Sequence, residues 1–208
     1  MYVLGLTGSI GMGKTWGATC FRLLGVPVHD ADSCVHRLMG PGAYATPIIA
    51  KQFPGVLNEQ GAVDRQKLGT QVLGDDQALN TLEAILHPLV RRDQHRFLAG
   101  CRRRQVRLVV LDIPLLYETG ANARVDAVVV MSAPTQIQRQ RVLRRPGMTD
   151  DKLNAILDRQ LDDAIKCEMA QFVVDTGGPR AQSLRQIAKI VKVVKRLKGS
   201  VWNPHWGR

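Results

Sequence analysis

Hydrophobic positions along the chain fall into short β-branched runs that alternate with stretches of helical spacing. Five such runs, at residues 2–7, 26–29, 108–112, 125–131 and 172–175, predict strands. Alternation of strands with helices is typical of an α/β protein with a parallel sheet. None of the apolar runs approaches the ~20 residues that a membrane-spanning helix needs.

The segment between the second and third predicted strands is far longer than the roughly dozen residues that a simple crossover needs. It has helical spacing with breaks at residues 40–42 and 54–55. His87-Pro88 predicts a further helix break, because proline inside a helix costs ~3 kcal/mol. We expect this insertion to form helices that cover a substrate.

The second half of the chain predicts three more helices. Pro134 is expected to open a helix that runs to Arg145, and Thr149 to cap the next one. One face of that next helix is expected to hold Leu153, Leu157, Gln160 and Ala164. The last helix is predicted over residues 180–198, with an apolar stripe opposite its lysines, and residues 200–208 form a tail without a period.

Composition narrows the class of protein. With 45% hydrophobic positions among 208 residues, the chain excludes a disordered protein and fits one domain with a sizeable core. The net charge of +11 favours an anionic partner, which is a nucleic acid, an anionic membrane or a polyphosphorylated small molecule. The four cysteines lack metal-ligand spacing and the N-terminus lacks signal-peptide features, which predicts reduced thiols in a cytoplasmic protein.

A phosphate-binding loop is the strongest motif. The pattern G-x-x-x-x-G-K-[ST] is matched at every fixed position by Gly8, Ser9, Ile10, Gly11, Met12, Gly13, Lys14 and Thr15. The loop lies between a predicted strand and a helical run, where backbone N–H groups and the helix dipole cradle phosphates. Lys14 would reach the β- and γ-phosphates, and the Thr15 hydroxyl would bind Mg²⁺. The loop alone does not distinguish a kinase from a switch GTPase or a motor.

Aspartates lie at the carboxyl ends of two predicted strands, at the sheet edge where ligands of α/β proteins lie. Asp30-Ala31-Asp32 follows the second strand. An aspartate there either accepts a proton from a substrate hydroxyl or caps the next helix. Asp112 ends the third strand and predicts a magnesium contact, with an N-cap before Pro114 as the alternative.

Arg141, Arg144 and Arg145 recur at spacings of three and four residues and are expected to share one helix face. Such a face is either a solvated basic surface or part of a lid that closes over ATP and excludes water. Three more arginines at residues 102–104 are expected to form a solvated turn.

Several strings together resemble the dephospho-CoA kinase family in order and spacing. They are residues 5–15, Asp-Ala-Asp at 30–32, His-Pro at 87–88, DIPLLYE at 112–118, QRVLRR at 140–145, Gln160 and FVVD at 172–175. The resemblance extends from residue 3 to about 195. The loop is generic, whereas the combination of Asp-Ala-Asp, His-Pro and the DIPLLYE string is specific to the family.

The resemblance implies transfer of the ATP γ-phosphate to the ribose 3′-hydroxyl of dephospho-CoA, the last step of coenzyme A biosynthesis. The implied fold is a three-layer P-loop nucleoside-kinase-like α/β fold with a central parallel sheet, a helical substrate-binding region and a lid. On this chain it implies one domain over residues 1–199, followed by the tail at 200–208. The implied parts are a core of residues 1–30, 105–135 and 170–199, a CoA-binding insertion of residues 31–104 and a lid of residues 136–169.

The resemblance also implies roles for single residues. Asp32 would be the base that accepts the 3′-hydroxyl proton, with Lys14 and Arg145 as further catalytic residues. Thr7 and Arg145 would contact the reacting phosphates or the substrate. The acceptor site is implied to include His87, Leu115, Leu116 and Gln160.

The expected nucleotide site comprises the phosphate loop with Trp16 and Arg141, and the expected cofactors are ATP and Mg²⁺. The expected partners are small-molecule substrates, with no nucleic acid and no membrane, and the chain is expected to be a monomer or a weak homo-oligomer. Trp16 and Met12 stand where smaller residues are common, so Trp16 is expected to stack on the adenine or to pack against the lid. Pro146 replaces a frequent aspartate and is expected to alter lid closure. Residues 175–178 lack the usual asparagine, which predicts a small surface change.

Other function classes fit parts of the sequence. Another P-loop small-molecule kinase, for a nucleoside monophosphate or a sugar alcohol, would use the same loop, base and arginines. A nucleic-acid-binding ATPase is suggested by the charge and the lysine-rich last helix, and its binding would fall steeply with salt. Trp202 and Trp206 are the basis for a membrane-surface anchor, although the tail has no amphipathic period.

Overall fold

Five strands form one sheet in the computed structural model, which describes residues 1–202. They are β1 (Tyr2–Thr7), β2 (Val28–Asp30), β3 (Leu108–Asp112), β4 (Ala127–Ser132) and β5 (Phe172–Asp175). Their order is β2-β3-β1-β4-β5, and β1 pairs in parallel with β3 and β4, as β4 does with β5. The predicted α/β class and parallel sheet are confirmed, with small shifts at the ends of β2 and β4. Residues 203–208 of the predicted tail, including Trp206, lie outside the described residues.

The chain divides into two compact units, Asp30–Phe97 and the rest of the described chain. The larger unit holds most of the sheet with α1 (Lys14–Leu23), α6 (Thr135–Leu143), α7 (Asp150–Leu157), α8 (Asp163–Met169), α9 (Arg180–Val194) and a 3₁₀ turn at Ala121–Arg124. The smaller unit holds α2 (Ala31–Leu38), α3 (Ala45–Gln52), α4 (Arg65–Val72) and most of α5 (Asp76–Arg103).

The core of the larger unit explains why its strands are uninterrupted apolar runs. Side chains of β1, β3 and β4 are buried together with residues of α1 and α9, for example Leu4, Val110 and Val129 with Phe21 and Ile187. Strands of a parallel sheet that are covered by helices need apolar residues on both faces. The predicted apolar stripe of the last helix is confirmed by this packing, although α9 ends at Val194 rather than at residue 198.

The predicted helix break at His87-Pro88 is wrong. Helix α5 is 28 residues long, and Pro88 lies inside it. Leu82, Leu86 and Leu89 of α5 are buried in the core of the smaller unit. Burial of three leucines stabilises the helix by several times ~1.5 kcal/mol, which outweighs the ~3 kcal/mol that an internal proline costs.

Two predictions for the segment after β4 need correction. Helix α6 ends at Leu143, before Arg144 and Arg145, since Pro146 disfavours a helical conformation for the residue before it. Gln160 and Ala164 do not continue the face of α7, which ends at Leu157. The Asp162 side chain accepts a hydrogen bond from the Ala164 N–H and starts α8 as a separate helix.

Asp126 joins the two ends of the described chain. Its carboxylate accepts the Val3 N–H at 2.7 Å, the Ser200 N–H at 2.7 Å and the Val201 N–H at 2.9 Å. Hydrogen bonds to a charged acceptor are stronger than neutral ones, so this carboxylate fastens the start of β1 to the segment after α9.

All four cysteines carry free thiols in this structure. Within residues 1–202, no helix combines the length and the apolar character that crossing a membrane requires.

Candidate active site

The phosphate loop connects β1 to α1, as the motif predicts. Gly13 is the N-cap of α1 with φ +85°, and Gly11 has φ +79°. A Cβ atom on Gly11 would lie 2.6 Å from Cγ2 of Val142, so a side chain there has neither the backbone conformation nor the space it needs. The loop and the first turn of α1 therefore present backbone N–H groups and the positive end of a helix dipole, which together bind anions.

Lys14 and Asp112 meet at the carboxyl end of the sheet. Nζ of Lys14 lies 2.8 Å from Oδ1 of Asp112, whose side chain is only 3% exposed. Thr15 lies next to Lys14 in the first turn of α1 and is exposed. A threonine hydroxyl and a carboxylate are the oxygen donors that Mg²⁺ prefers, so this donor set fits the ion that accompanies a nucleotide.

Side chains from distant segments form hydrogen bonds with the backbone of the loop. Nε2 of Gln138 donates a 2.8 Å hydrogen bond to the carbonyl oxygen of Ile10, and the Ile10 N–H donates to Oε1 of Gln160 at 3.1 Å. Gln160, expected in the acceptor site, thus contacts the phosphate loop itself.

Arg141 and Thr176 hold the next part of the loop. The Arg141 guanidinium donates to the Gly11 carbonyl oxygen at 3.4 Å, to Oγ1 of Thr176 at 3.0 Å and to the Thr176 carbonyl oxygen. The Thr176 hydroxyl in turn donates to the carbonyl oxygen of Met12 at 2.9 Å. Thr176 is buried, so the expectation of a small surface change at residues 175–178 is wrong for this residue. The reason is that the loop after β5 packs against the phosphate loop.

Arg141, Arg144 and Arg145 do not share a common environment. Arg141 is partly buried against the loop, whereas Arg144 and Arg145 lie beyond the end of α6 and are exposed. The single helix face predicted for them is therefore wrong, since α6 ends before two of the three residues.

Thr7, at the end of β1 and just before the phosphate loop, contacts the segment after β3. The fully buried Thr7 hydroxyl donates to the Pro114 carbonyl oxygen at 2.8 Å. Leu115 is exposed, whereas Leu116 has no exposed surface, because it packs over Gly5 of β1. Of Leu115 and Leu116, it is Leu115 that a substrate can reach in this structure. Because Thr7 and Leu116 are buried, the contacts with a substrate that the resemblance implies for them would have to be indirect.

Trp16 packs within the larger unit. The guanidinium of Arg180 lies 5.1 Å from the centre of its ring, a cation–π distance, and the indole contacts the main core. Its buried Nε1 has no hydrogen-bond partner among the described residues.

The smaller unit carries Asp32 and His87. The Asp30 side chain accepts the Ser33 N–H at 2.9 Å, so Asp30 is the N-cap of α2, while Asp32 lies exposed in its first turn. His87 is exposed on α5. Between the two aspartates that the sequence left as alternatives, the cap is Asp30.

Three contacts of the loop escaped the sequence analysis: those of Gln138 and Thr176, and the 3.2 Å hydrogen bond that Nζ of Lys166 donates to Oγ of Ser9. Thr176 directly follows β5, and the rule that ligands lie at carboxyl ends of strands is the one signal that would have found it. Gln138 and Lys166 lie in helices as ordinary polar residues, with no local pattern that points to the loop.

Comparison with known proteins agrees with this geometry. The family model for dephospho-CoA kinase matches residues 2–181. A dephospho-CoA kinase from Mesorhizobium japonicum is 51% identical over 200 residues, which are 96% of this chain and 100% of that protein. Two solved structures share the fold. One, from Thermus thermophilus, has a TM-score of 0.79 at 30% identity and covers 92% of this chain and 96% of that one. The other, the dephospho-CoA kinase of Campylobacter jejuni, has a TM-score of 0.69 at 23% identity and covers 93% of this chain and 97% of its own. From the phosphate loop, the order of the strands and this likeness along nearly its whole length, the chain belongs to the dephospho-CoA kinase family.

Proposed function

We propose that this chain transfers the γ-phosphate of ATP to the ribose 3′-hydroxyl of dephospho-CoA, giving ADP and coenzyme A. The observation that carries the proposal is a complete phosphate loop, with Lys14 against Asp112, in a chain of this family. In the transfer, the 3′-oxygen forms a bond to the γ-phosphorus while the bond from that phosphorus to the β,γ-bridging oxygen breaks. The hydroxyl proton leaves to a base.

The phosphate loop binds the donor. Its backbone N–H groups and the N-terminus of α1 bind the β-phosphate, and Lys14 neutralises charge on the β- and γ-phosphates. Lys14 has to exchange its contact with Asp112 for phosphate oxygens. Gln138, Gln160, Arg141 and Thr176 support this role, since they already hold the loop from outside. A loop held in place before ATP binds needs little reorganisation for the reaction.

Thr15 and Asp112 are the residues that we assign to Mg²⁺. The Thr15 hydroxyl is exposed at the start of α1, and the Asp112 carboxylate ends β3. When bound, the ion screens the charge of the triphosphate. Asp112 would hold it directly or through its water shell.

Asp32 is our candidate for the base. Its support is the motif of the family and the finding that the N-cap of α2 is Asp30. A carboxylate near a substrate hydroxyl accepts the proton as the oxygen attacks, which contributes a factor of roughly 10²–10⁴ in rate. We further propose that His87, Leu115 and Gln160 belong to the acceptor site, and that Leu116 and Thr7 shape it from beneath.

The parts of the chain follow the same proposal. Residues 31–104 would bind the CoA moiety, and residues 136–169 would act as a lid that excludes water from the transferred phosphate. Arg145 is the exposed lid cation that we expect to reach the phosphates. We also propose that the chain is a monomer or a weak homo-oligomer and works in the cytoplasm, where its four free thiols would stay reduced.

The test is acceptor-dependent release of ADP. Purified protein is given ATP and Mg²⁺ with dephospho-CoA, and, in parallel, with CoA, whose 3′-hydroxyl is already phosphorylated. We expect ADP with dephospho-CoA and background with CoA, with a nucleoside monophosphate or with a sugar alcohol. Equal ADP release with all acceptors, or faster release with another one, would contradict the proposal. Added DNA or RNA should leave the rate unchanged.

A further inference from the structure

Lys166 in α8 is a lysine enclosed by protein. Its side chain has 0% exposed surface, and among residues 1–202 no other lysine or arginine is buried. Its Nζ atom lies 2.8 Å from Oε1 of Glu118 and donates to Oγ of Ser9 at 3.2 Å. Ser9 is the second residue of the phosphate loop and is itself buried. None of the roles assigned above involves Lys166.

Glu118 connects this lysine to other parts of the site. Its carboxylate also accepts the Leu161 N–H at 2.9 Å. Burial opposes its ionisation, but the hydrogen bonds from Lys166 and from backbone N–H groups outweigh burial and lower the pKa of Glu118. The side chain of Gln160, the residue before Leu161, accepts a hydrogen bond from the Ile10 N–H. The phosphate loop, the segment after β3 and the turn before α8 are thus fastened around one ion pair.

Stability alone does not account for an enclosed ion pair. Taking both charges out of water is costly, and packed apolar residues in their place are often as stable or more so. What the pair does provide is a fixed donor at one position. Through its 3.2 Å hydrogen bond, the Lys166 ammonium favours the Ser9 rotamer that points its Oγ at the lysine. A loop fixed in advance binds an anion without first having to be ordered.

We propose that Lys166 is a positioning residue for the donor nucleotide, holding the phosphate loop through Ser9, with Glu118 as its counter-charge. Because Lys166 has no exposed surface, it acts on the nucleotide only through the loop. Since Glu118 balances its charge, the effect is on the geometry of the loop more than on the potential at the phosphates. The inference rests on the proposed function only in that the bound ligand is ATP.

The test uses three variants: Ser9→Ala, the double variant Lys166→Met/Glu118→Gln, and their combination. The double variant removes both charges together, so that no unpaired ion stays buried. Affinity for the non-hydrolysable analogue AMP-PNP is measured by calorimetry, and KM is measured for both substrates. We expect Ser9→Ala and the double variant each to weaken AMP-PNP binding and raise KM for ATP about tenfold, with KM for dephospho-CoA unchanged. The variant that combines all three changes should bind AMP-PNP as tightly as the double variant does, because all three changes break the same contact.

Ser183→Ala is the matched control, since Ser183 is a serine buried in α9 outside the loop. Wild-type affinity in Ser9→Ala, or effects that simply add in the combination, would overturn the proposal. If the double variant does not fold, Ser9→Ala decides alone, because it keeps the ion pair. AMP-PNP binding needs no acceptor, so a wild-type chain that binds the analogue but leaves dephospho-CoA unchanged would refute the proposed function and not this inference.

Discussion

Nζ of Lys14 lies 2.8 Å from Oδ1 of Asp112, so the lysine of the phosphate loop and the acid at the end of β3 form an ion pair. We expect Lys14→Ala to lose nucleotide affinity and transfer together, by a factor on the order of 100, because the phosphates lose their cation. Calorimetry with ATP and ADP release measure the two losses. Lys189→Ala, on the exposed side of α9, is the control and should match wild type. Unchanged ATP affinity in Lys14→Ala would contradict the role of the loop.

The two aspartates at the start of α2 should behave differently. Asp32→Asn is expected to lower kcat by roughly 10²–10⁴ while ATP affinity stays near wild type, because only the proton acceptor is lost. Asp30→Asn keeps an N-cap side chain, which makes it the matched control, and its rate should stay close to wild type. Kinetics of both variants alongside ATP titration are the measurement. A wild-type rate in Asp32→Asn would exclude Asp32 as the base.

Thr176 should matter for ATP in spite of its distance along the chain from the loop. Thr176→Val keeps the shape of the side chain but removes its hydroxyl. The Met12 carbonyl oxygen then loses a hydrogen-bond donor, and an N–H group of Arg141 loses an acceptor. An unsatisfied buried group costs ~1–3 kcal/mol, so we expect KM for ATP to rise roughly tenfold. Thr176→Ser keeps the hydroxyl and should restore most of the affinity. Equal KM values for the two variants would show that the hydroxyl has no such role.

A variant of Arg145 tests the proposal that residues 136–169 act as a lid. Its side chain is exposed, so removing it should leave the melting temperature unchanged. We expect Arg145→Ala to reduce kcat roughly tenfold or more through lost stabilisation of the transferred phosphate. Arg103→Ala, which removes another exposed arginine at the end of α5, is the comparison. If both variants have wild-type kcat, Arg145 is a surface charge.

The cysteines should react slowly with disulfide reagents in the folded protein. Burial raises the pKa of the Cys34 thiol to about 12, and nearby Asp93 adds to the shift. Burial also raises the pKa of Cys20 and of Cys167. A raised pKa keeps a thiol protonated at pH 8, and the thiolate is the reactive form. With Ellman's reagent at pH 8, native protein should react slowly and unfolded protein should show four thiols. Rapid labelling of Cys34 in native protein would contradict this.

Particular residues show which parts of the fold and of the site could be predicted from the sequence. The strands and the loop from Gly8 to Thr15 were predictable, because strand burial and phosphate binding both depend on short, local patterns. Pro88 misled the prediction, since the leucines that keep α5 continuous act through tertiary packing. The contacts of Arg141 with Thr176, and of Lys166 with Ser9, join segments far apart in sequence. No local pattern specifies such partners, so the structure was needed to find them.

The most direct test of the central claim is the position of the transferred phosphate. Dephospho-CoA is incubated with ATP, Mg²⁺ and the protein, and the product is analysed by phosphorus NMR and by comparison with authentic CoA. We predict one new phosphomonoester on the ribose 3′-oxygen, formed in step with ADP. A phosphate at another position, or ADP formed at the same rate without acceptor, would contradict the account.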